Sequence, residues 1–153
     1  MSPRTNQQYE KIRAEKRKAI LDAALVVFAE KTFDGSTVSM IAEKAKISKG
    51  LIYNYFESKE ALLKEIIRNG VQDVWRFFDP NHDGVLTKDE FLYFARKSIQ
   101  IVKQNPVYWK LYSALMFQPE VIKFLQTDYD ELSVRFYQMA LDLFKRCHIS
   151  DPE

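Results

Sequence analysis

A single cysteine, Cys147, stands in 153 residues. That excludes an intramolecular disulfide framework and any multi-cysteine zinc site within one chain. Glycine is scarce, at 4 residues, and proline contributes 5; collagen-like, glycine-rich and heavily looped all-β chains fall away with that shortage. No apolar run approaches the roughly 18–20 residues that a membrane span needs. The N-terminus is polar and carries no signal-peptide core. The expectation is a cytoplasmic protein without a membrane partner. No coherent nucleophile–base constellation, phosphate loop or His/Cys metal cluster is legible, so the chain reads as a non-enzyme without an organic cofactor.

What is present is apolar and aromatic mass. Hydrophobic residues make up 46% of the chain, with 11 Phe, 8 Tyr and 2 Trp, beside 29% charged residues. This is the balance of a folded chain with a core of useful size. Net charge is only +2, but residues 1–18 concentrate Arg4, Lys11, Arg13, Lys16, Arg17 and Lys18 against Glu10 and Glu15. A basic head on a near-neutral body suits contact with a polyanion at one end, although lysine-rich faces also serve simply as solvated surface.

The hydrophobic pattern follows the helical period almost throughout. Residues 16–31 place Ile20, Ala24, Val27 and Phe28 on one stripe, and Phe33-Asp34-Gly35-Ser36 interrupts it. Two short helices are expected from Thr37 to Ala45 and from Ser48 to Phe56. A longer one starts at Ser58 and runs to Phe78. After the loop Asp79-Pro80-Asn81-His82-Asp83-Gly84, helices are expected at about 87–104, 106–117 and 119–147, with Pro106 and Pro119 near two of the starts. No strand-like alternation is sustained. The fold class is all-α. Ser150-Asp151-Pro152-Glu153 has the cap-then-proline grammar of a helix start, and the chain reads as truncated at its C-terminus; a frayed tail explains the same residues.

Residues 37–56 carry the most specific pattern. Thr37 caps a helix whose inward positions are Val38, Ile41, Ala42 and Ala45, and the small Ala42 admits a close crossing. Ile47 fills the turn, Ser48 caps the next helix, and Ile52 and Phe56 face the core. Lys49, Gly50, Leu51, Tyr53, Asn54 and Tyr55 remain outward or near the helix N-terminus, a set suited to DNA. Gly50 removes a side chain where a duplex must come close, and Lys59 stands one residue past the Ser58 cap. The plain alternative is a helical hairpin with exposed tyrosines.

The runs Thr37–Ala42, Ala45, Ile47–Phe56 and Ser58–Leu63, with Ile20, Ala23, Ala24, Phe28 and the Phe33/Gly35 break before them, resemble the DNA-binding domain of TetR/AcrR-type regulators over roughly residues 16–67. The resemblance implies a one-component transcriptional regulator, most often a repressor, acting as a homodimer on palindromic double-stranded DNA. It places Ser48, Lys49, Gly50 and Leu51 in the major groove and Thr37, Tyr53, Tyr55 and Lys59 on phosphates, with Ser39 and Asn54 reaching bases or backbone. It divides the chain into an N-terminal arm and helix-turn-helix domain, 1–57, and a helical regulatory domain, 58–153. The second half would hold a small apolar or aromatic effector and the dimer interface. Candidate lining, from position alone, is Trp109, Tyr112, Met116, Phe117, Phe124, Tyr129, Phe136, Tyr137 and Met139; an aromatic stripe is also what a core looks like.

Residues 79–90 resemble a complete EF-hand calcium loop. Asp79, Asn81 and Asp83 supply side-chain oxygens at loop positions 1, 3 and 5, and Gly84 permits the turn at 6. Val85 offers its carbonyl at 7, Thr87 acts through water at 9, and Glu90 closes the site at 12. Hard oxygen donors suit Ca²⁺. Turn formation by Asp-Pro-Asn and Asp-Gly, and a capping box at Thr87/Glu90, explain part of the same pattern without metal. Metal at this loop would fix the angle between the helices at 58–78 and 87–104. The rival from another class is a calcium-binding interaction module whose helix-turn-helix is only scaffold.

Overall fold

In a computed structural model, residues 6–127 and 131–147 are described, and every regular element among them is helical. The order is α1 (Asn6–Lys31), α2 (Val38–Ala45), α3 (Lys49–Tyr53), α4 (Lys59–Trp75), α5 (Lys88–Gln104), α6 (Pro106–Met116), α7 (Pro119–Thr127) and α8 (Glu131–Arg146). The first helix begins ten residues before the apolar stripe that announces it, because the stripe marks only the part that packs. Of the helix expected at 119–147, the described parts are α7 and α8, and residues 128–130 lie outside the described residues. No helix among the described residues is long and apolar enough to cross a membrane.

Helix α1 packs against α2, α4 and α6, so it serves both halves of the chain. Ile20, Ala24 and Phe28 of α1, Ile41 of α2, Ile52 of α3, and Leu62 and Leu63 of α4 are almost wholly buried in one core. That core continues without a break into Tyr112, Leu115 and Val121 of the second half. Truncating any of its large aliphatic members costs about 2–5 kcal/mol. A smaller cluster joins Phe78, just before the 79–90 loop, and Leu86 within it to Met139 and Leu143 of α8. The Arg146 guanidinium of α8 donates to the Leu86 carbonyl and ties the same loop down.

Two hydrogen-bonded fixtures hold the first four helices. Arg17 donates to both carboxylate oxygens of Glu65 on α4 and, through Nη1, to the Tyr55 carbonyl at 3.1 Å. Its guanidinium lies 4.3 Å from the Phe56 ring centroid. The second fixture is the turn after α1. Thr32 takes a left-handed φ of 62°, and a Cβ at Gly35 would stand 2.3 Å from the Lys31 carbonyl oxygen. The Ser36 hydroxyl donates to the Phe33 carbonyl at 2.6 Å.

Candidate nucleic-acid interface

Helices α2 and α3 form a helix-turn-helix held by local capping. The Thr37 hydroxyl accepts from the Met40 N–H at 3.2 Å, and the Ser48 hydroxyl accepts from the Leu51 N–H at 3.2 Å. Between them Lys46 takes a left-handed φ of 55°, and the Ile47 N–H reaches back to the Ala42 carbonyl at 3.0 Å. This wraps the C-terminus of α2, and Ile47 packs on the core as the hydrophobic contact that accompanies such a closure. The two helices are fixed from inside by Ile41, Ala42, Ile52 and Phe56, all buried.

The outward set is Thr37, Ser39, Ser48, Lys49, Gly50, Tyr53 and Asn54, all exposed. Tyr53 keeps 48% of its surface exposed, its phenol clear of the core. Leu51 is half-buried. Tyr55 is half-buried too, packed against the core, and its backbone carbonyl serves Arg17. Lys59 stands apart from the outward set. Its ammonium donates to the Phe33 carbonyl at 2.8 Å and the Ser36 carbonyl at 3.3 Å and sits 4.3 Å from the Phe33 ring centroid. Its visible work is to brace the turn leading into α2.

Gly50 separates itself from two other glycines. A Cβ at Gly35 would strike backbone, and one at Gly70 would lie 2.3 Å from the Tyr112 ring. A Cβ at Gly50 would meet nothing within 4 Å. Glycine inside a helix costs about 1 kcal/mol relative to alanine, and no neighbour within the protein accounts for that cost here. The basic head is smaller than its sequence count. Arg17 belongs to Glu65, and Lys18 pairs with Asp22 at 2.6 Å.

The candidate effector residues scatter. Trp109 is half-buried beside Tyr108, Tyr112 is buried, Met116 and Phe124 pack on the core, and Phe117 is 80% exposed. Met139 belongs to the smaller cluster. Tyr129 and the side chains of Phe136 and Tyr137 lie outside the described residues. Sequence reasoning missed Tyr108 and Gln118, which belong to no recognisable motif, and counted Arg17 in the basic head although it pairs with Glu65.

In the 79–90 loop the Asp79 Oδ2 accepts from the Gly84 N–H at 3.2 Å, the Asn81 Oδ1 from the Asp83 N–H at 3.2 Å, and the Asp83 Oδ1 from the Val85 N–H at 2.7 Å. His82 and Gly84 supply the left-handed turns, with φ of 58° and 76°. Glu90 Oε2 accepts from both the N–H and hydroxyl of Thr87, completing a capping box on α5. Among the described residues no three His, Cys, Asp or Glu side chains converge as a metal-binding group.

A capped helix-turn-helix with a solvent-facing Lys/Gly/Tyr/Asn surface, carried on an all-helical body, defines a DNA-binding regulator module. Residues 20–66 match the family described as bacterial regulatory proteins, tetR family. The chain is 26% identical over 132 residues to the biofilm operon icaADBC HTH-type negative transcriptional regulator IcaR of Staphylococcus epidermidis, covering 86% of this chain and 70% of that protein. It is 49% identical over 53 residues to the uncharacterized HTH-type transcriptional regulator YuxN of Bacillus subtilis, covering 35% of this chain but only 18% of YuxN. A crystal structure of a TetR family transcription regulator from Marinobacter aquaeolei VT8 superposes with a TM-score of 0.60 at 20% identity, covering 90% of this chain and 72% of that one. Residues 20–66 thus form a helix-turn-helix domain of the tetR type, and it is to DNA-binding transcription regulators that the chain is similar.

Proposed function

We propose that the protein is an effector-responsive repressor that binds a palindromic operator as a homodimer, reading it with Ser48, Lys49, Gly50 and Leu51 and holding phosphates with Thr37, Tyr53 and Tyr55. The observation that carries the reading is Gly50. It is exposed and helical, and a Cβ there would meet nothing within 4 Å, which leaves room for a duplex lying against the first turn of α3. Lys49 supplies charge beside it, and Ser39 and Asn54 supply side chains that reach bases or backbone. The IcaR likeness supports repression, since that relative is described as a negative regulator. Lys59 belongs to this set as a phosphate anchor only through the ammonium hydrogen left over from its two backbone carbonyls.

The 79–90 loop extends the proposal to Ca²⁺. Asp79, Asn81, Asp83, the Val85 carbonyl, Thr87 through water and Glu90 are the donors, and they match the hard-oxygen chemistry of that ion. Metal closure requires Glu90 to yield its place on the Thr87 cap. Bound calcium would then set the angle between α4 and α5, at the point where the DNA-binding half meets the body.

The test is duplex affinity as a function of salt. A regulator loses binding steeply as salt rises, and Lys49→Ala reduces the salt slope by about one. Tyr53→Phe weakens binding without changing the fold. Salt-independent or undetectable duplex binding would leave the calcium-binding interaction module as the function.

A further inference from the structure

A cleft of about 680 Å³ opens between α1, α4, the end of α5 and the start of α6. That volume lies within the range of small-molecule sites. Its position is as telling as its size. Helices α1 and α4 carry the helix-turn-helix, whereas α5 and α6 belong to the body, so the cleft straddles the junction of the two halves. Leu25 and Ile66 give it an apolar floor, and Tyr108 and Trp109 give it an aromatic wall. The two rings meet edge to face at 5.3 Å.

Lys18 and Arg76 balance Asp22 and Asp73 in formal charge around the rim, but only Lys18 and Asp22 are in contact. Lys18 is held by Asp22 at 2.6 Å, and the Arg76 guanidinium lies 4.8 Å from the Phe77 ring centroid. Asp73, also exposed, forms no ion pair among the described residues. Burial, followed by the carboxylates of Asp73 and then Asp22, pushes the Tyr108 hydroxyl up to about 12. The two carboxylates line the same cleft as the aromatic wall. An uncommitted anion beside π faces and above an apolar floor is the arrangement that attracts a cation on an organic body.

We propose that this inter-domain cleft binds a hydrophobic organic cation, with Asp73 as its counter-charge and Tyr108 and Trp109 as its π wall. The proposal deepens the effector-responsive reading and rests on it for its regulatory meaning. The cleft also has a mechanical route to the reading head. Tyr108 and Trp109 both touch Tyr112, with centroids 6.0 and 5.3 Å away. Tyr112 lies against Gly70 and donates to the Ile67 carbonyl at 3.2 Å, both on α4. A cation seated on the first two rings bears on the third, and through it on α4.

Tetraphenylphosphonium and tetraphenylborate are probes of nearly the same shape and opposite charge. In a Trp75→Phe background the only tryptophan left is Trp109, so its emission reports occupancy of the cleft. The expected result is saturable, one-site binding of the phosphonium, with the borate at least about tenfold weaker, a difference of about 1.4 kcal/mol. Asp73→Asn is expected to weaken the phosphonium by about fivefold to tenfold and to leave the melting temperature unchanged, because Asp73 is exposed and unpaired. Equal binding of the two probes, unsaturable quenching, or an unchanged affinity in Asp73→Asn would overturn the proposal. Duplex binding is measured separately on the same protein. DNA binding without phosphonium binding removes the cation site and leaves the regulator, whereas phosphonium binding without DNA binding does the reverse.

Discussion

The side-chain oxygen of Gln118 accepts from the backbone N–H of Phe33 at 2.8 Å, across 85 residues of sequence. The amide nitrogen of the same buried side chain donates to the Phe28 carbonyl at 2.8 Å. Phe28 is among the last four carbonyls of α1, which have no partner within their own helix. One glutamine between α6 and α7 thus satisfies the end of α1 and the start of the turn that aims α2. Phe33 is in turn covered by Lys59, which binds its carbonyl and caps its ring. The body and the helix-turn-helix meet at this point in both hydrogen bonds and packing.

Gln118→Ala leaves the Phe33 N–H and the Phe28 carbonyl buried without that partner. Each such loss costs about 1–3 kcal/mol, so a destabilisation of at least about 2 kcal/mol is expected in urea unfolding. Gln118→Glu sets a second acceptor against the Phe28 carbonyl and is expected to do no better. A variant as stable as the parent would show that the junction does not depend on this amide.

Arg17→Ala removes the partner of Glu65, whose side chain is only 13% exposed, along with the Tyr55 carbonyl bond. Arg68, 3.6 Å from the same carboxylate, softens the loss. The expected cost is about 1–3 kcal/mol in thermal or chemical unfolding. Arg17→Lys keeps the charge without the two-pronged contact and is expected to recover only part of it.

Gly50→Ala separates stability from binding. With open space around the new Cβ, the variant is expected to gain about 0.5–1 kcal/mol of stability, since alanine is the better helix former. Operator affinity is expected to fall, because the methyl occupies the surface that faces the duplex. Higher stability with unchanged affinity would place the DNA elsewhere.

The legibility of this chain was uneven, for physical reasons. Helix stripes such as Ile20/Ala24/Phe28 and the Thr37 and Ser48 caps are local signals, and the structure has them as the sequence suggests. Lys59 looks like a surface lysine one residue past a cap, and only the fold brings two backbone carbonyls to it. Gln118 and the Asp73–Tyr108 cleft are tertiary in origin. A polar residue between two helices, or a carboxylate on an exposed face, has no periodic signature that marks what lies opposite.

Burial also makes a pH prediction. Tyr112 is pushed well above the ordinary phenol range, first by desolvation, and Tyr108 up to about 12. Both phenols are held neutral in the fold but ionise near 10 when unfolded. Their contribution to stability is therefore constant below pH 10 and declines as pH rises from 10 towards 12. Tyr108→Phe is expected to flatten that decline relative to the parent, read as the midpoint of urea unfolding at successive pH values; parallel curves would contradict it.

Calcium at the 79–90 loop is tested by melting. At a hundredfold excess over the dissociation constant a ligand adds about 2.7 kcal/mol, equivalent to several degrees in a domain of this size. Asp79→Ala with Glu90→Ala is expected to abolish the Ca²⁺-dependent rise. A rise that survives both substitutions would place the ion at other residues.

The most direct test of the regulator reading is selection of a random duplex library on this protein, in parallel with Ca²⁺ and with chelator. A palindromic consensus is expected, lost in Lys49→Ala and weakened in Gly50→Ala; its appearance in one arm only would make Ca²⁺ an effector. Enrichment of no sequence in either arm, by a protein that still melts cooperatively, would contradict the account at its centre.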